Sequence, residues 1–163
     1  MLLGVLLLCP GVFAAEDWGA LQYLIGTWTG EGGGAPGQSA GSFSFTPDLQ
    51  GKVLVRKSRA EYSATKDKPA STHDDLMIVF REPDENAEGA LRAIYFDSEG
   101  HVIRYAVTMF GDRIIFTSEP SRSAPQYRFT YARQSASELR MKFEIAAPGK
   151  GFATYLEGAA KRK

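Results

Sequence analysis

The chain has 163 residues, 44% of them hydrophobic, with 19 basic and 19 acidic side chains and a single cysteine, Cys9. That length suits one domain with its own core rather than two. Zero net charge offers no long-range pull toward phosphate, which argues against a nucleic-acid partner. One cysteine excludes an intrachain disulfide framework and any cysteine-rich zinc site.

Residues 1–15 carry no charged side chain, and Leu2, Leu3, Val5, Leu6, Leu7 and Leu8 form an apolar run. It falls short of the roughly 20 residues that a membrane span takes. Val12, Phe13, Ala14 and Ala15 then bring small residues before Glu16. The segment reads as a secretory signal peptide cut after Ala14 or Ala15, although no Lys or Arg stands in its n-region. Residues 16–163 are then the mature domain. Leu8 precedes Cys9 where a lipoprotein signal takes a small residue, so a soluble periplasmic or secreted protein is expected rather than a lipid-anchored one. Cleavage would remove the only thiol, which suits an oxidising compartment.

A short helix is expected next. Asp17 can cap it, Trp18, Leu21, Leu24 and Ile25 fall at helical spacing, and Gly26 stops it. After Gly26 the period becomes two. Strand candidates follow at 26–32, at 42–46 with Pro47 ending it, at 52–63, and at 75–81 closed by Glu82 and Pro83. The second half continues with 90–96, 101–110, 113–118, 126–133, 138–145 and 151–160. The turns are Asp97-Ser98-Glu99-Gly100, Gly111-Asp112 and Pro148-Gly149. The strand at 138–145 alternates most cleanly, with Leu139, Met141, Phe143 and Ile145 on one face and Arg140, Lys142 and Glu144 on the other. About ten short strands at roughly 8–12-residue spacing predict an all-β fold. Short turns between neighbours favour a closed antiparallel up-and-down barrel, which leaves no exposed edge.

Two motifs fail on context. Gly37-Gln38-Ser39-Ala40-Gly41 matches the G-x-S-x-G nucleophile elbow, but that chemistry needs a strand-to-helix turn and a histidine brought to the serine. Here Ser39 lies between strand candidates, and the only histidines are His73 and His101. Gly32, Gly34 and Gly37 match G-x-G-x-x-G, yet no helix follows to hold a pyrophosphate. His73, Asp74 and Asp75 stand in a row, but neighbours on a strand point to opposite faces, so the segment is expected to be a solvated loop and no metal site. Glu31, Glu61, Glu119, Glu144 and Glu157 are candidate acids that the sequence does not pair, and no convincing catalytic set emerges.

The stretch Leu24-Ile25-Gly26-Thr27-Trp28-Thr29-Gly30-Glu31-Gly32 resembles the opening of nitrobindin-like and related lipocalin-like barrels. The resemblance extends over the mature chain in strand number and order, and Tyr155, Gly158 and Ala160 fit the ending of exported bacterial relatives. It implies a short helix, a barrel of about ten strands and a lumen for a small, largely apolar ligand. In the haem-binding branch a histidine near the C-terminal end of the barrel is the iron ligand. This chain has none after His101, so no cofactor is expected; Tyr155 is the one nearby side chain that can ligate haem.

The residues themselves support a lumen. Phe129, Met141 and Phe143 are large and share a face with Ile145, and barrels of this size can hold one small ligand. Arg56, Arg104 and Tyr105 can supply the few polar groups such a pocket needs. Trp28 is expected to pack one end of the barrel. The same apolar face equally suits a filled core. The expected function is non-covalent binding of a hydrophobic or amphipathic molecule, not enzymatic turnover. The alternatives are a haem or nitrogen-oxide binder, or a small hydrolase or isomerase using a lumen acid or His101.

Overall fold

The computed structural model describes residues 17–31, 40–83 and 89–163. The expected signal peptide at 1–15, together with Gly32, Gly34, Gly37 and Ser39 of the two glycine motifs, lies outside the described residues.

A short 3-10 helix of two turns, Gly19–Leu24, opens the described chain, with Asp17 Oδ1 accepting from the Gly19 N–H at 2.8 Å. Three residues per turn align Trp18, Leu21 and Leu24 on one side, and all three are buried. Ten strands follow among the described residues: β1 Gly26–Glu31, β2 Ala40–Asp48, β3 Val53–Tyr62, β4 Ser71–Arg81, β5 Leu91–Asp97, β6 Val102–Phe110, β7 Arg113–Ser118, β8 Gln126–Arg133, β9 Glu138–Ala146 and β10 Ala153–Arg162. Each pairs antiparallel with the next, and β1 pairs with β10 to close the barrel, as the period-two pattern predicts. No helix among the described residues is long and apolar enough to cross a membrane, which leaves strands aside.

Several strand ends differ from the sequence reading by one or two residues, β10 running Ala153–Arg162 rather than 151–160, and two larger differences stand out. β2 continues through Pro47, which lies past Phe45, the last β2 residue that β1 covers. A proline is tolerated there because an edge position asks for no ladder donor. β4 begins at Ser71 rather than Asp75. The long β3 pairs with it residue by residue from Val53↔Phe80 to Tyr62↔Ser71, which draws His73 and Asp74 out of the expected loop and into the ladder.

One end of the barrel is closed. Trp28 on β1 is fully buried, donates its indole N–H to the Leu24 carbonyl at 2.8 Å and stacks on Phe43 with ring centroids 6.3 Å apart. The Arg162 guanidinium lies 4.3 Å from the Trp28 ring and donates to the Tyr23 carbonyl at 2.6 Å, which ties the last strand to the plug. Gly26 serves this junction twice. Its φ of +128° turns the chain from plug to strand, and a Cβ there would stand 2.5 Å from Arg162 Nη1. The Tyr23 hydroxyl reaches the Asp112 and Tyr131 carbonyls at 3.3 and 3.4 Å across the same end. Above the plug the inward side chains pack solid: Phe45, Leu54, Val79, Ala93, Val107, Ile114, Tyr131, Leu139 and Ala160 are all buried.

Candidate functional site

Register fixes which side chains enter the barrel, because i and i+2 share a face and cross-strand partners share it too. Moving from the closed end toward the open end, β3 sends in Leu54, Arg56 and Ser58, and β4 sends in Val79, Met77, Asp75 and His73. β5 adds Ala93, Tyr95 and Asp97, and β6 adds Val107, Tyr105 and Ile103. β8 contributes Tyr131, Phe129 and Tyr127 opposite Met141, Phe143 and Ile145 of β9. The lowest layer is buried. In the upper layers Ile103, Tyr127, Phe129, Met141, Phe143 and Ile145 point inward yet stay part exposed. They line a cup that opens away from the plug. Tyr127 stacks on Phe143 at 6.0 Å, and Phe129 meets Tyr131 edge-on at 4.7 Å, so the aromatic wall is continuous from rim to floor.

Arg56 and Asp75 form an ion pair at the bottom of this cup, with side chains only 9% and 8% exposed. The guanidinium also lies 5.3 Å from the Phe43 ring and 5.9 Å from the Phe129 ring. Burial raises the Asp75 carboxyl above the ordinary aspartate range, although Arg56, His73 and Ser58 pull it down. Burial opposes the Arg56 charge, but Tyr131 and Asp75 beside it more than compensate, and its pKa is raised. Burial also lifts the Tyr131 phenol to about 12 and raises Tyr105 and Tyr95 further, so all three remain protonated donors at neutral pH. The Arg56 Nε is buried with no hydrogen-bond partner, and the Tyr131 hydroxyl, whose oxygen lies beside the Arg56 guanidinium, has no acceptor for its proton.

A second polar group lies at the rim. His73 meets Tyr95 OH through Nε2 at 3.1 Å and Glu99 through Nδ1 at 3.3 Å, and Tyr95 OH donates to Asp97 at 3.3 Å. Burial works against the Asp97 charge, but hydrogen bonds from His101 and from the Glu99 N–H hold its pKa low. Donor atoms of His73, Asp97 and Glu99 lie within 4.8 Å of one another. The partners that gather at His73 thus come from β5 and the turn after it, not from its chain neighbours.

The sequence-based candidates divide accordingly. Arg56, Tyr105, Phe129, Met141 and Phe143 all face the lumen. Tyr155 sits at the rim, at a register shift between Thr154 and Leu156, 73% exposed and edge-on to Phe143 at 6.0 Å. Arg104 does not join them. It pairs with Ile94 on the outer face and is exposed, because it alternates with the inward Tyr105. His101 is also outside the cup, exposed and bonded through Nδ1 to Asp97 at 2.8 Å. Trp28 packs the closed end. Sequence reasoning missed Asp75, Tyr131 and Tyr95 as companions of Arg56. The signal was present in the i, i+2 series His73, Asp75, Met77 and Val79, which a strand begun earlier would have exposed.

Haem ligation through a C-terminal histidine does not fit this donor set. β10 carries no imidazole, its Tyr155 is a rim side chain, and both ring nitrogens of His73 are engaged. Surface grooves of about 220 and 80 Å³ lie elsewhere, one beside Arg140 and Glu157 and one beside Gln126 and Pro148, and neither has an aromatic wall.

No protein-family model matches this chain, and no curated protein matches it. A solved structure does. The crystal structure of Rv2717c from M. tuberculosis aligns with a TM-score of 0.56 at 16% sequence identity, over 88% of this chain and 97% of that one. The likeness is one of fold. It supports the barrel architecture over nearly the full length of the neighbour and leaves the cup to be read from its own residues.

Proposed function

We propose that this protein binds a small, mostly apolar molecule non-covalently in the open half of its barrel, as a binding protein rather than an enzyme. The supporting observation is the wall of Ile103, Tyr127, Phe129, Met141, Phe143 and Ile145, which faces inward and remains part exposed. Burying one such side chain is worth about 1.5–3 kcal/mol. A barrel whose only task was to fold would close over them, as it does one layer below. A ligand seated in the cup recovers that apolar area, and the Arg56–Asp75 pair beneath gives it a polar end to meet. The Trp28 opening motif together with the barrel fold supports a place among the nitrobindin-like, lipocalin-like barrels. The make-up of residues 1–15 supports action after export, and the N-terminal mass of protein recovered from the native compartment tests it.

Titration of the full chain with phenylnaphthylamine, a neutral fluorophore, tests the binding site. One saturable site with a blue-shifted emission is expected. Met141→Trp, which fills the cup from β9, should weaken binding about tenfold or more while the circular dichroism is unchanged. Saturable binding that survives this substitution places the fluorophore outside the lumen and refutes the proposal.

One observation favours a second reading, a hydrolase or isomerase using a lumen acid. Asp75 is a buried inward carboxyl whose pKa is raised by burial, the environment that suits a general acid. Hydrolysis of nitrophenyl butyrate that disappears in Asp75→Asn would support it; hydrolysis indifferent to that change would not.

A further inference from the structure

We propose that the molecule held in the lumen carries a neutral hydrogen-bond acceptor at its buried end (a ketone, ester or amide oxygen), and that Asp75 excludes carboxylates from the same position. This rests on the reading of the cup as a ligand site.

The floor of the cup is rich in unused donors. Arg56 Nε and the Tyr131 hydroxyl come from different strands and are buried; the Tyr131 oxygen lies beside the guanidinium, and neither the Nε–H nor the phenol proton has an acceptor. They share one locus. The Arg56 guanidinium lies 5.3 Å from the Phe43 ring and 5.9 Å from the Phe129 ring, and Tyr131 lies 5.7 and 4.7 Å from the same two rings. Unpaired buried donors are costly to leave unmade, so a floor with two of them is incomplete without an acceptor. Phe129 stands one layer nearer the mouth than Tyr131, is part exposed, and its ring lies against both groups.

Charge decides which acceptor fits. The Arg56 charge is already answered by Asp75, diagonal to it across β3 and β4, with both side chains more than nine-tenths buried. A carboxylate entering beside this pair would bring a second anion into a desolvated floor holding one cation, at a high cost. A carbonyl oxygen accepts from Arg56 Nε and Tyr131 and adds no charge. A ligand with no acceptor leaves both donors unpaired, which is how polar sites reject apolar analogues.

Three near-isosteric probes separate these cases by calorimetry on the full chain: benzylacetone with a methyl ketone, hydrocinnamate with a carboxylate, and butylbenzene with neither. Benzylacetone should bind about tenfold more tightly than either of the others, the factor expected from one well-made buried hydrogen bond. Tyr131→Phe removes a hydroxyl whose proton has no acceptor in the protein and whose oxygen touches only Arg56, already paired with Asp75, so the fold should lose little stability while benzylacetone weakens about five- to tenfold and butylbenzene is unmoved. Asp75→Asn leaves Arg56 unanswered and should turn the preference toward hydrocinnamate by about tenfold or more. If Asp75→Asn does not fold, Tyr131→Phe decides alone. Equal affinity for all three probes, or equal weakening of all three by Tyr131→Phe, means that the donors are met by water only and overturns the head-group assignment while the lumen site stands. No binding of any probe overturns the lumen site itself, and this inference with it.

Discussion

Replacing Arg56 by methionine should cost the fold about 3–5 kcal/mol at neutral pH, because it leaves the Asp75 carboxylate buried without its cation. The structure sets this magnitude. Both side chains are more than nine-tenths buried, and the guanidinium also gives up its contacts with the Phe43 and Phe129 rings. Asp75→Asn should cost a similar amount for the opposite reason, a buried guanidinium left unanswered. The double variant Arg56→Met with Asp75→Leu should come within about 1 kcal/mol of the parent, since well-packed apolar side chains can replace a buried ion pair without loss. With Asp75→Leu as the second single, which should cost at least as much as Asp75→Asn, the cycle predicts a coupling of about 5 kcal/mol or more. Acid supplies an independent check. Asp75 has a folded-state pKa above its ordinary 3.8, because burial outweighs the pull of Arg56. A carboxyl raised in this way favours the fold when protonated. That contribution is fully present below 3.8 and is lost as pH rises through the folded value. Without Arg56 the folded value climbs further, so the Arg56→Met deficit should shrink as pH falls from neutral toward the ordinary aspartate range. The Asp75→Asn deficit should instead grow as pH falls, since the parent gains from protonating Asp75 and the variant has no carboxyl to titrate. Urea unfolding followed by circular dichroism across that range measures both. Single substitutions that each cost under about 1 kcal/mol, or a double variant that costs their sum, would refute the buried-pair argument. If the double variant is as stable as predicted, folding alone does not require the pair, and its place at the floor of the cup points to ligand recognition.

Trp28→Phe should cost about 2–3 kcal/mol, from a Leu24 carbonyl left without its donor and a smaller ring on Phe43, and should lower the melting temperature by about 5–10 °C in a thermal scan. On the outer wall, hydrogen bonds from Arg128 first, and from Lys142, depress Glu144 from 4.5 to about 2, despite burial. Its contribution is present above 4.5 and lost as pH falls toward 2. Glu144→Gln should cost about 1–2 kcal/mol at neutral pH, given the paired contacts at 2.7 and 3.0 Å, and should flatten the acid limb of a melting-temperature profile. An unchanged acid limb would assign that loss of stability to other carboxyls.

How much was legible depended on range. The alternation of Leu139, Met141, Phe143 and Ile145 is a local signal, because the pleat alone dictates that i and i+2 share a face, and β9 took that form. The turn at Gly111 was equally local, with a φ of +56° that glycine adopts freely. The start of β4 was not local. Ser71, Thr72 and His73 join the sheet because β3 is long enough to pair with them, a property of another segment. The misplacement of Arg104 came from treating it and Tyr105 as companions when a strand separates neighbours.

The sequence by itself determined the all-β class, the strand number and the plug motif around Trp28, since each follows from spacing within a dozen residues. Only the tertiary structure decided that Arg56 faces Asp75, 19 residues away. It also decided that Tyr131, from β8, reaches the same floor. Those meetings depend on the stagger of whole strands and on closure of β1 against β10, and a one-residue slip would have turned every one of these side chains to the other face.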